Sequence, residues 1–192
     1  MNTTKSKLVK KIVLVGILTA LSAVLGCIKI PLMGVNITLV LPVVVIGAAL
    51  YGPLVGAWLT VIPNLITIFT GEAALFMTYR PGWASVIFIL KGLLAGLAAG
   101  FIYKLLCKKK PTLAAICASV VCPVVNTGVF LLGCRIFLWA PLVEKANEAG
   151  VGMGILILGL AGINFAVELL LSIVLCPSVV TIINLAGKKK LV

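Results

Sequence analysis

Long apolar runs cover most of the chain, and short polar breaks separate them. The runs are continuous and do not alternate between apolar and polar residues, so they are typical of membrane helices rather than barrel strands. Each run is about long enough to cross the hydrocarbon core of a bilayer, which takes roughly 20 residues. The pattern predicts an all-α, polytopic membrane protein with six transmembrane helices, at about residues 12–30, 36–50, 53–70, 83–106, 112–139 and 155–185.

The sharpest break is Tyr51-Gly52-Pro53, which divides one apolar stretch into two helices. Gly supplies unusual backbone angles and Pro cannot continue a helix, so the tripeptide is typical of a tight turn. Two helices joined by so short a turn are expected to be antiparallel neighbours. Pro42 and Pro63 lie inside these helices, where each is expected to kink its helix or free a carbonyl group.

The composition excludes a soluble domain of this size. The chain has 192 residues, of which 62% are hydrophobic, and a mean hydropathy of +1.31. These values fit a single membrane domain that spans residues 1–192 and is embedded in a lipid bilayer. The net charge of +12 would suit nucleic acid. However, the charges lie in short clusters at helix ends, as membrane topology requires, so no nucleic-acid partner is expected.

The basic clusters predict the orientation of the chain. Six spans place both termini on one side, together with the loop after the fourth helix, and this side carries eleven Lys residues. The opposite side carries three basic residues, Lys29, Arg80 and Lys145, and three of the four acidic residues, Glu72, Glu144 and Glu148. Positive charge accumulates on the cytoplasmic side of membrane proteins, so both termini are predicted to be cytoplasmic.

The first apolar run has two interpretations. It follows a basic segment, and Val24-Leu25-Gly26-Cys27 resembles a lipoprotein cleavage box, so residues 1–26 could be a cleaved secretory signal. The run is long for a signal core, and more membrane segments follow it rather than a soluble domain. A retained first helix is therefore the preferred interpretation.

The residue types argue against an enzyme. The chain has no His and no Asp, and one carboxylate lies within the predicted spans, so triad and paired-carboxylate mechanisms lack their parts. Its six Cys residues lie in or beside apolar runs without a CxxC pair, which fits helix packing better than a zinc site. No P-loop is present, so the chain cannot hydrolyse a nucleotide by the usual means. We expect no cofactor in this chain, and if it pumps a molecule, we expect partner subunits to use the ATP.

Three charged residues remain inside the predicted spans: Lys91, Arg135 and Glu168. A charge near the bilayer centre costs about 2.5–3.5 kcal/mol, so each must face protein or water. Lys91 lies roughly 13 Å below the outer end of its helix, and Glu168 lies at a similar depth. The two either form an ion pair or contact a substrate. Arg135 lies about one turn from the outer end of its helix, where it either snorkels to the headgroups or binds an anionic group in an outward-facing pocket.

Three asparagines accompany these charges: Asn64, Asn126 and Asn164. Asn164 and Glu168 are four residues apart, so they share one face of a helix. A single Asn in a membrane helix needs no more than an interhelical hydrogen bond, worth about 0.6 kcal/mol. So many polar groups in a small bundle indicate a polar cavity instead.

Aromatic side chains near the outer ends of the helices complete this candidate site. Tyr79, Trp83 and Phe130 are expected to form apolar or stacking walls at the mouth of the cavity, and Arg80 lies beside them. The candidate substrate-binding residues are Asn64, Tyr79, Arg80, Trp83, Lys91, Asn126, Phe130, Arg135, Asn164 and Glu168.

Small residues at a spacing of four predict close helix contacts. Gly92, Gly96 and Gly100 form such a ladder on the fourth helix. Gly16 and Ala20, with Ala23 close by, form a weaker one on the first. Small residues one turn apart let another helix backbone approach closely.

These features together resemble the substrate-binding S components of energy-coupling-factor (ECF) vitamin transporters, and the likeness covers nearly the whole chain. It rests on four stretches, of which the Gly-Pro hairpin is the most specific: Gly16-Ile-Leu-Thr-Ala20-Leu-Ser-Ala23, Ile46-Gly-Ala-Ala-Leu-Tyr-Gly-Pro-Leu-Val-Gly-Ala57, Cys122-Pro-Val-Val-Asn-Thr-Gly-Val-Phe-Leu-Leu-Gly133, and Asn164-Phe-Ala-Val-Glu168 followed by Cys176-Pro177.

The resemblance implies a six-helix protein of the bacterial plasma membrane, with an outward-facing vitamin site capped by external loops. It also implies docking onto a transmembrane coupling protein that works with two ATPase subunits. The family's small-xxx-small motif, which meets the coupling protein, maps onto Gly16 and Ala20, with Ala23 close by and Gly in place of the usual first Ala. The family's proposed mechanism is toppling of the whole S component in the membrane to release the vitamin inside.

The resemblance leaves the vitamin open. The stretch 46–57 looks most like members associated with pantothenate, and somewhat like riboflavin carriers. Pantothenate is a carboxylate, which suits Arg135 or Lys91 through a charge-assisted bond. Riboflavin would rely more on aromatic walls, and the chain has three Trp and three Tyr. A self-contained secondary transporter or channel is the alternative class, but it would need internal repeats or a proton relay, and Glu168 alone makes a thin relay.

Overall fold

The computed structural model describes residues 2–28, 30–32, 35–37, 39–71 and 73–188. Lys29, Glu72, Lys189 and Lys190, which entered the charge count, lie outside the described residues. The elements, in chain order, are α1 (Asn2–Cys27), β1 (Ile30–Leu32), β2 (Val35–Ile37), α2 (Val40–Tyr51), α3 (Pro53–Phe69), α4 (Ala74–Tyr79), α5 (Pro81–Leu106), α6 (Pro111–Phe137), α7 (Trp139–Glu148), α8 (Met153–Ile157), a π-helical turn (Leu158–Gly162) and α9 (Ile163–Lys188).

Four helices of the described chain are long and apolar enough to cross a membrane, within α1, α5, α6 and α9. The helices α2 and α3 are apolar but shorter, with 12 and 17 residues. At 1.5 Å per residue they extend for about 18 and 25 Å, against a hydrocarbon core of about 30 Å. The chain is therefore a multi-pass membrane protein whose second and third helices are shorter than a full crossing.

The tight turn predicted at Tyr51-Gly52-Pro53 is confirmed. Gly52 joins α2 to α3 with a φ of +101°, a backbone angle that favours glycine, and Pro53 is the first residue of α3. Ala48 and Gly56 face each other across the turn, and a Cβ atom built on Gly56 would lie 2.6 Å from the Ala48 Cβ. The two helices therefore pack against each other as an antiparallel hairpin.

The ladder of Gly92, Gly96 and Gly100 forms the contact between α3 and α5. A Cβ atom on Gly96 would overlap the backbone of Gly56, and one on Gly100 would overlap Pro53. Beside this contact, the Thr60 hydroxyl donates a hydrogen bond of 2.7 Å to the carbonyl oxygen of Gly92. The predicted close packing is thus confirmed, and its partner is the second helix of the hairpin.

Short elements occupy the stretches predicted to be loops. Within the predicted loop 29–34 and the start of the predicted helix 36–50, the strands β1 and β2 pair in an antiparallel manner, with Ile30 opposite Ile37 and Leu32 opposite Val35. As a result α2 begins at Val40, and Pro42 lies in its first turn, where a proline breaks no hydrogen bond. The predicted loop 71–82 contains α4, and α7 occupies the first part of the predicted loop 140–154 and begins one residue before it. The π-helical turn divides the predicted last helix.

The buried apolar residues form two clusters. The first is rich in small residues, including Ala95, Ala99, Ala115 and Ala118, all at most 1% exposed. Small side chains let the helices α2, α5, α6 and α9 approach closely. The second cluster lies between α4, α5, α6 and α7 and is aromatic, with Phe76, Phe88 and Phe130. The helices therefore pack closely around the first cluster. Around the second cluster, larger aromatic side chains fill the space between the helices, and Lys91 lies against two of them.

Candidate functional site

The structure brings four of the predicted polar residues together inside the bundle. Glu168 on α9 is 7% exposed, and the side-chain amide of Asn164 donates a hydrogen bond of 3.4 Å to its Oε1 atom. Asn126 on α6 lies beside the same carboxyl group, and Lys91 on α5 is close enough to interact with it electrostatically. Three helices thus converge on one carboxyl group, and we call these four residues the polar cluster.

The Lys91 ammonium group lies over aromatic rings. Its Nζ atom is 4.5 Å from the centroid of the Phe88 ring and 5.1 Å from that of Phe130. Both rings attract the cation through their electron-rich faces. Within the described part of the chain, no side-chain nitrogen of Lys91 lies within 4.0 Å of a Glu168 oxygen, so the two do not form a direct ion pair. The cation is instead stabilised by the aromatic faces and by longer-range attraction to the carboxyl group.

Although Asn126 interacts with the Glu168 carboxyl group, two buried oxygen atoms of the polar cluster have no described donor at both the distance and the angle of a hydrogen bond: Oε2 of Glu168 and Oδ1 of Asn164. A buried acceptor without a partner costs about 1–3 kcal/mol, and more when it carries charge. Natural proteins seldom retain such atoms in a well-packed core unless the site has a role. The polar cluster therefore offers two hydrogen-bond acceptors and one ammonium donor to a bound molecule.

An aromatic wall borders the polar cluster. Phe76 on α4, Phe88 on α5 and Phe130 on α6 pack edge to face, with ring centroids 5.3–5.9 Å apart. All three are at most 9% exposed. Phe130 was predicted as a wall residue, whereas Phe76 and Phe88 were missed. Phe88 is three residues before Lys91, so helical spacing could have placed both on one face.

Arg135 lies apart from these contacts. It is exposed near the end of α6, with its guanidinium carbon 4.3 Å from the centroid of the Trp139 ring. Stacking of a guanidinium group on an indole is favourable at such a distance. Arg135 is thus held at the junction of α6 and α7 and not beside Glu168.

The remaining predicted residues occupy the margins of the site. Trp83 is 45% exposed and stacks on Phe137, with ring centroids 4.0 Å apart. Tyr79 and Arg80 lie at the end of α4, where Tyr79 is partly buried and Arg80 is exposed. The Asn64 amide donates to the carbonyl oxygen of Thr60 on its own helix, at 2.9 Å, and lies against Gly92, next to Lys91 in the chain.

The π-helical turn Leu158–Gly162 directly precedes Asn164 and was not foreseen. A π-helical turn carries one extra residue, so it changes the direction in which the following side chains point, and such turns are frequent at functional sites. The signal that could have revealed it is the pair Gly159 and Gly162 inside an otherwise apolar helix. The turn therefore contributes to the orientation of Asn164 and Glu168.

One face of α1 has no neighbour in the described structure. Gly16 and Ala20 are exposed, and no atom lies within 4 Å of a Cβ atom built on Gly16. The opposite face packs on α3, where the Ser22 hydroxyl donates a bond of 2.6 Å to the Leu59 carbonyl oxygen. Ala23, beside Ser22, is partly buried. The small residues of α1 thus lie on the outside of the bundle.

Comparison with known proteins gives a family. A family model described as the substrate-specific component of ECF transporters matches residues 10–180, which is most of the chain. No curated protein and no solved structure gave a match. Proteins of this family are substrate-binding subunits of transporters. With its apolar helices and a polar cluster buried among them, the chain belongs to the family of ECF transporter substrate-specific components.

Proposed function

We propose that the chain is the S component of an ECF-type importer and binds a small water-soluble vitamin, with pantothenate favoured, at the polar cluster. The observation that carries this proposal is the pair of unpartnered acceptors on Glu168 and Asn164, which lie near the Lys91 ammonium group. A vitamin with an anionic end and hydrogen-bond donors complements all three groups. Burial of these groups among helices makes the bonds stronger than they would be in water.

Pantothenate fits this arrangement in chemical terms. Its carboxylate would pair with Lys91, which would leave the Phe88 and Phe130 rings to contact the apolar part of the molecule. Its hydroxyl and amide groups would donate to the free oxygens of Glu168 and Asn164. Arg135 would act at the entrance, since it lies on the Trp139 ring outside the polar cluster.

Riboflavin is the second candidate, because the aromatic wall of Phe76, Phe88 and Phe130 suits a flat ring system. Flavin rings stack on or against aromatic side chains, and such contacts contribute beyond the area they bury. The flavin also carries donors and acceptors on its edge that would reach the polar cluster. A bound flavin would be visible by its absorbance and fluorescence.

Transport further requires an orientation and partners. We propose six membrane crossings in the plasma membrane of a bacterium, with both termini cytoplasmic and the vitamin entering from outside. The exposed face of α1 with Gly16 and Ala20, bordered by Ala23, would contact the transmembrane coupling protein. Two ATPase subunits bound to that protein would use ATP, and this chain would need no cofactor.

The first experiment identifies the molecule that copurifies with the protein. Native mass spectrometry of the purified chain, followed by denaturation and analysis of released small molecules, is expected to yield pantothenate or a flavin. If no small molecule is released, the next experiment is calorimetric titration of the protein with water-soluble vitamins. A protein that binds none of them, with or without a coupling protein, would contradict the proposal.

The role of the polar cluster is tested by Lys91→Met. A charge-assisted hydrogen bond contributes about 1.5–3 kcal/mol, so a carboxylate ligand is expected to bind about 10- to 150-fold more weakly. Lys104→Met, which removes an exposed lysine at the other end of α5, is the matched control. Unchanged affinity in Lys91→Met would contradict the pairing of Lys91 with the ligand.

Uptake distinguishes an S component from a self-contained secondary transporter or channel. In proteoliposomes, this chain alone is expected to give no vitamin accumulation, with or without an ion gradient. Accumulation is expected when the coupling protein, the ATPases and ATP are added. Gradient-driven uptake by the chain alone would favour the secondary transporter.

A further inference from the structure

A groove lies between α6 and α9, and none of its lining residues belongs to the polar cluster. Its volume is about 540 Å³, within the range of about 300–1,000 Å³ that small-molecule sites occupy. Its walls are mostly apolar and are formed by the first turns of α6 and the middle turns of α9. The lining residues include Thr112, Ile116, Ser119, Ile173, Pro177 and Val180. Ile116 is 43% exposed, so this wall reaches the surface of the bundle.

The groove continues to a basic surface at one end. A second cavity of about 460 Å³ shares Thr112 and Ile116 with the groove and is bordered by Lys109, Lys110 and Pro111. No acidic residue lines either cavity within the described structure. The lysines directly precede α6, whose first backbone N–H groups carry partial positive charge. An apolar slot therefore leads to a site suited to an anion.

A molecule bound here has to match both the apolar groove and the basic cavity at its end. The apolar face of a transmembrane helix would match the groove but would leave the lysines at its end without an anionic partner. A single acyl chain is much thinner and matches the apolar walls. Basic pockets between helices at a membrane surface are suited to anionic lipid headgroups.

We propose that this groove is a binding site for an anionic phospholipid. One acyl chain lies in the groove between α6 and α9, and the phosphate contacts Lys109, Lys110 and the first turn of α6. Lysines at the membrane surface attract anionic lipid, and the N-terminus of a long helix adds to that attraction. The lining residues of this site do not overlap with those of the polar cluster, so a lipid in the groove is expected to leave room for a vitamin at the cluster.

The test uses native mass spectrometry of the full chain from a mixture of phosphatidylglycerol and phosphatidylcholine. One phosphatidylglycerol per chain is expected to remain bound at a collision energy that removes phosphatidylcholine. The double variant Lys109→Gln/Lys110→Gln is expected to bind it about 30-fold more weakly, as two surface lysines imply. The matched control is Lys10→Gln/Lys11→Gln, which removes two exposed lysines from α1 and is expected to keep the lipid.

The groove itself is tested by a variant that leaves the charges unchanged. Ile116→Trp places a larger side chain in the wall shared by both cavities, and it is expected to lower retention of phosphatidylglycerol severalfold. Leu132→Trp is the control, because Leu132 is also on α6 but 64% exposed and outside the groove.

Three results would overturn the proposal: equal retention of both lipids, an equal loss in the Lys10/Lys11 variant, or full retention in Ile116→Trp. If Ile116→Trp instead prevents assembly with the coupling protein while the lipid stays bound, the groove holds a partner protein.

Discussion

The contact between α3 and α5 predicts a large effect from one added methyl group. In Gly96→Ala the new Cβ atom would overlap the Gly56 carbonyl group and crowd the Ala57 backbone nitrogen, and no flexible side chain is available to move aside. The two helices would have to separate. Separation would also stretch the bond from the Thr60 hydroxyl to the Gly92 carbonyl oxygen, which is now 2.7 Å long.

The size of the effect follows from these contacts. Overpacking a well-packed contact costs about 1–3 kcal/mol, and a weakened buried hydrogen bond adds about 0.5–1.5 kcal/mol. Replacing Gly by Ala offsets about 0.4–1 kcal/mol by restricting the unfolded chain. The net loss is about 0.5–4 kcal/mol, which corresponds to a fall in Tm of about 1–16 °C for a chain of this length.

The assay is thermal unfolding of the purified protein in detergent, followed by tryptophan fluorescence. Gly128→Ala on α6 is the matched control, because no atom lies within 4 Å of a Cβ atom at that position. Its Tm is expected to stay the same or rise slightly. If Gly96→Ala lowers Tm no more than Gly128→Ala does, then the two backbones are not in the close contact described above.

Three further changes test other parts of the structure. Ser22→Ala removes a buried donor to the Leu59 carbonyl oxygen, so the free energy of unfolding should fall by about 1 kcal/mol. Thr181→Val, at an exposed position on α9, is the control. An equal fall in both variants would show that the Ser22 hydrogen bond has no special stabilising role. Thr60→Val keeps the shape of the side chain but loses the hydrogen bond to the Gly92 carbonyl oxygen, so the free energy of unfolding should fall by about 1–3 kcal/mol in a thermal unfolding assay. An unchanged Tm would show that this hydrogen bond does not stabilise the fold. Glu168→Gln keeps an oxygen for the Asn164 amide but loses the negative charge, so calorimetry should show weaker vitamin binding. ATP-driven uptake should persist at a higher vitamin concentration. Complete loss of uptake with intact binding would instead favour a proton-coupled carrier.

The long helices could be predicted from the sequence because burial in lipid leaves a simple pattern. The predicted spans 83–106 and 112–139 differ by at most two residues at each end from α5 and α6. A proline begins each helix, and a run of three lysines follows α5. The short helices α4 and α7 could not be predicted this way. Their apolar residues are few, and what holds them is tertiary burial, as for Phe76 and Leu142 in the second cluster.

The polar residues of the site could be predicted because charge in a membrane is costly. Lys91 and Glu168 must be sheltered by protein, so a common location for them followed from depth alone. The aromatic wall could not be predicted in the same way, since a phenylalanine in an apolar helix is ordinary. The position of Arg135 could not be predicted either, because the sequence pattern did not show that α6 ends at Phe137. The guanidinium group stacks on Trp139, which begins the next helix.

Packing and binding are connected through Gly92. Its carbonyl oxygen accepts the Thr60 hydroxyl, and its lack of a side chain leaves room for Asn64, so the backbone beside Lys91 is held against α3. The Lys91 ammonium group, by contrast, lies over the Phe88 and Phe130 rings and forms no ion pair with any described residue, so it can leave the rings for a stronger anionic partner. The fixed backbone limits the positions that the Lys91 side chain can reach, which reduces the conformational entropy that binding at the proposed site must overcome. It follows that Gly96→Ala, one turn from Gly92, should weaken vitamin binding as well as lower Tm, whereas Gly128→Ala should neither weaken binding nor lower Tm.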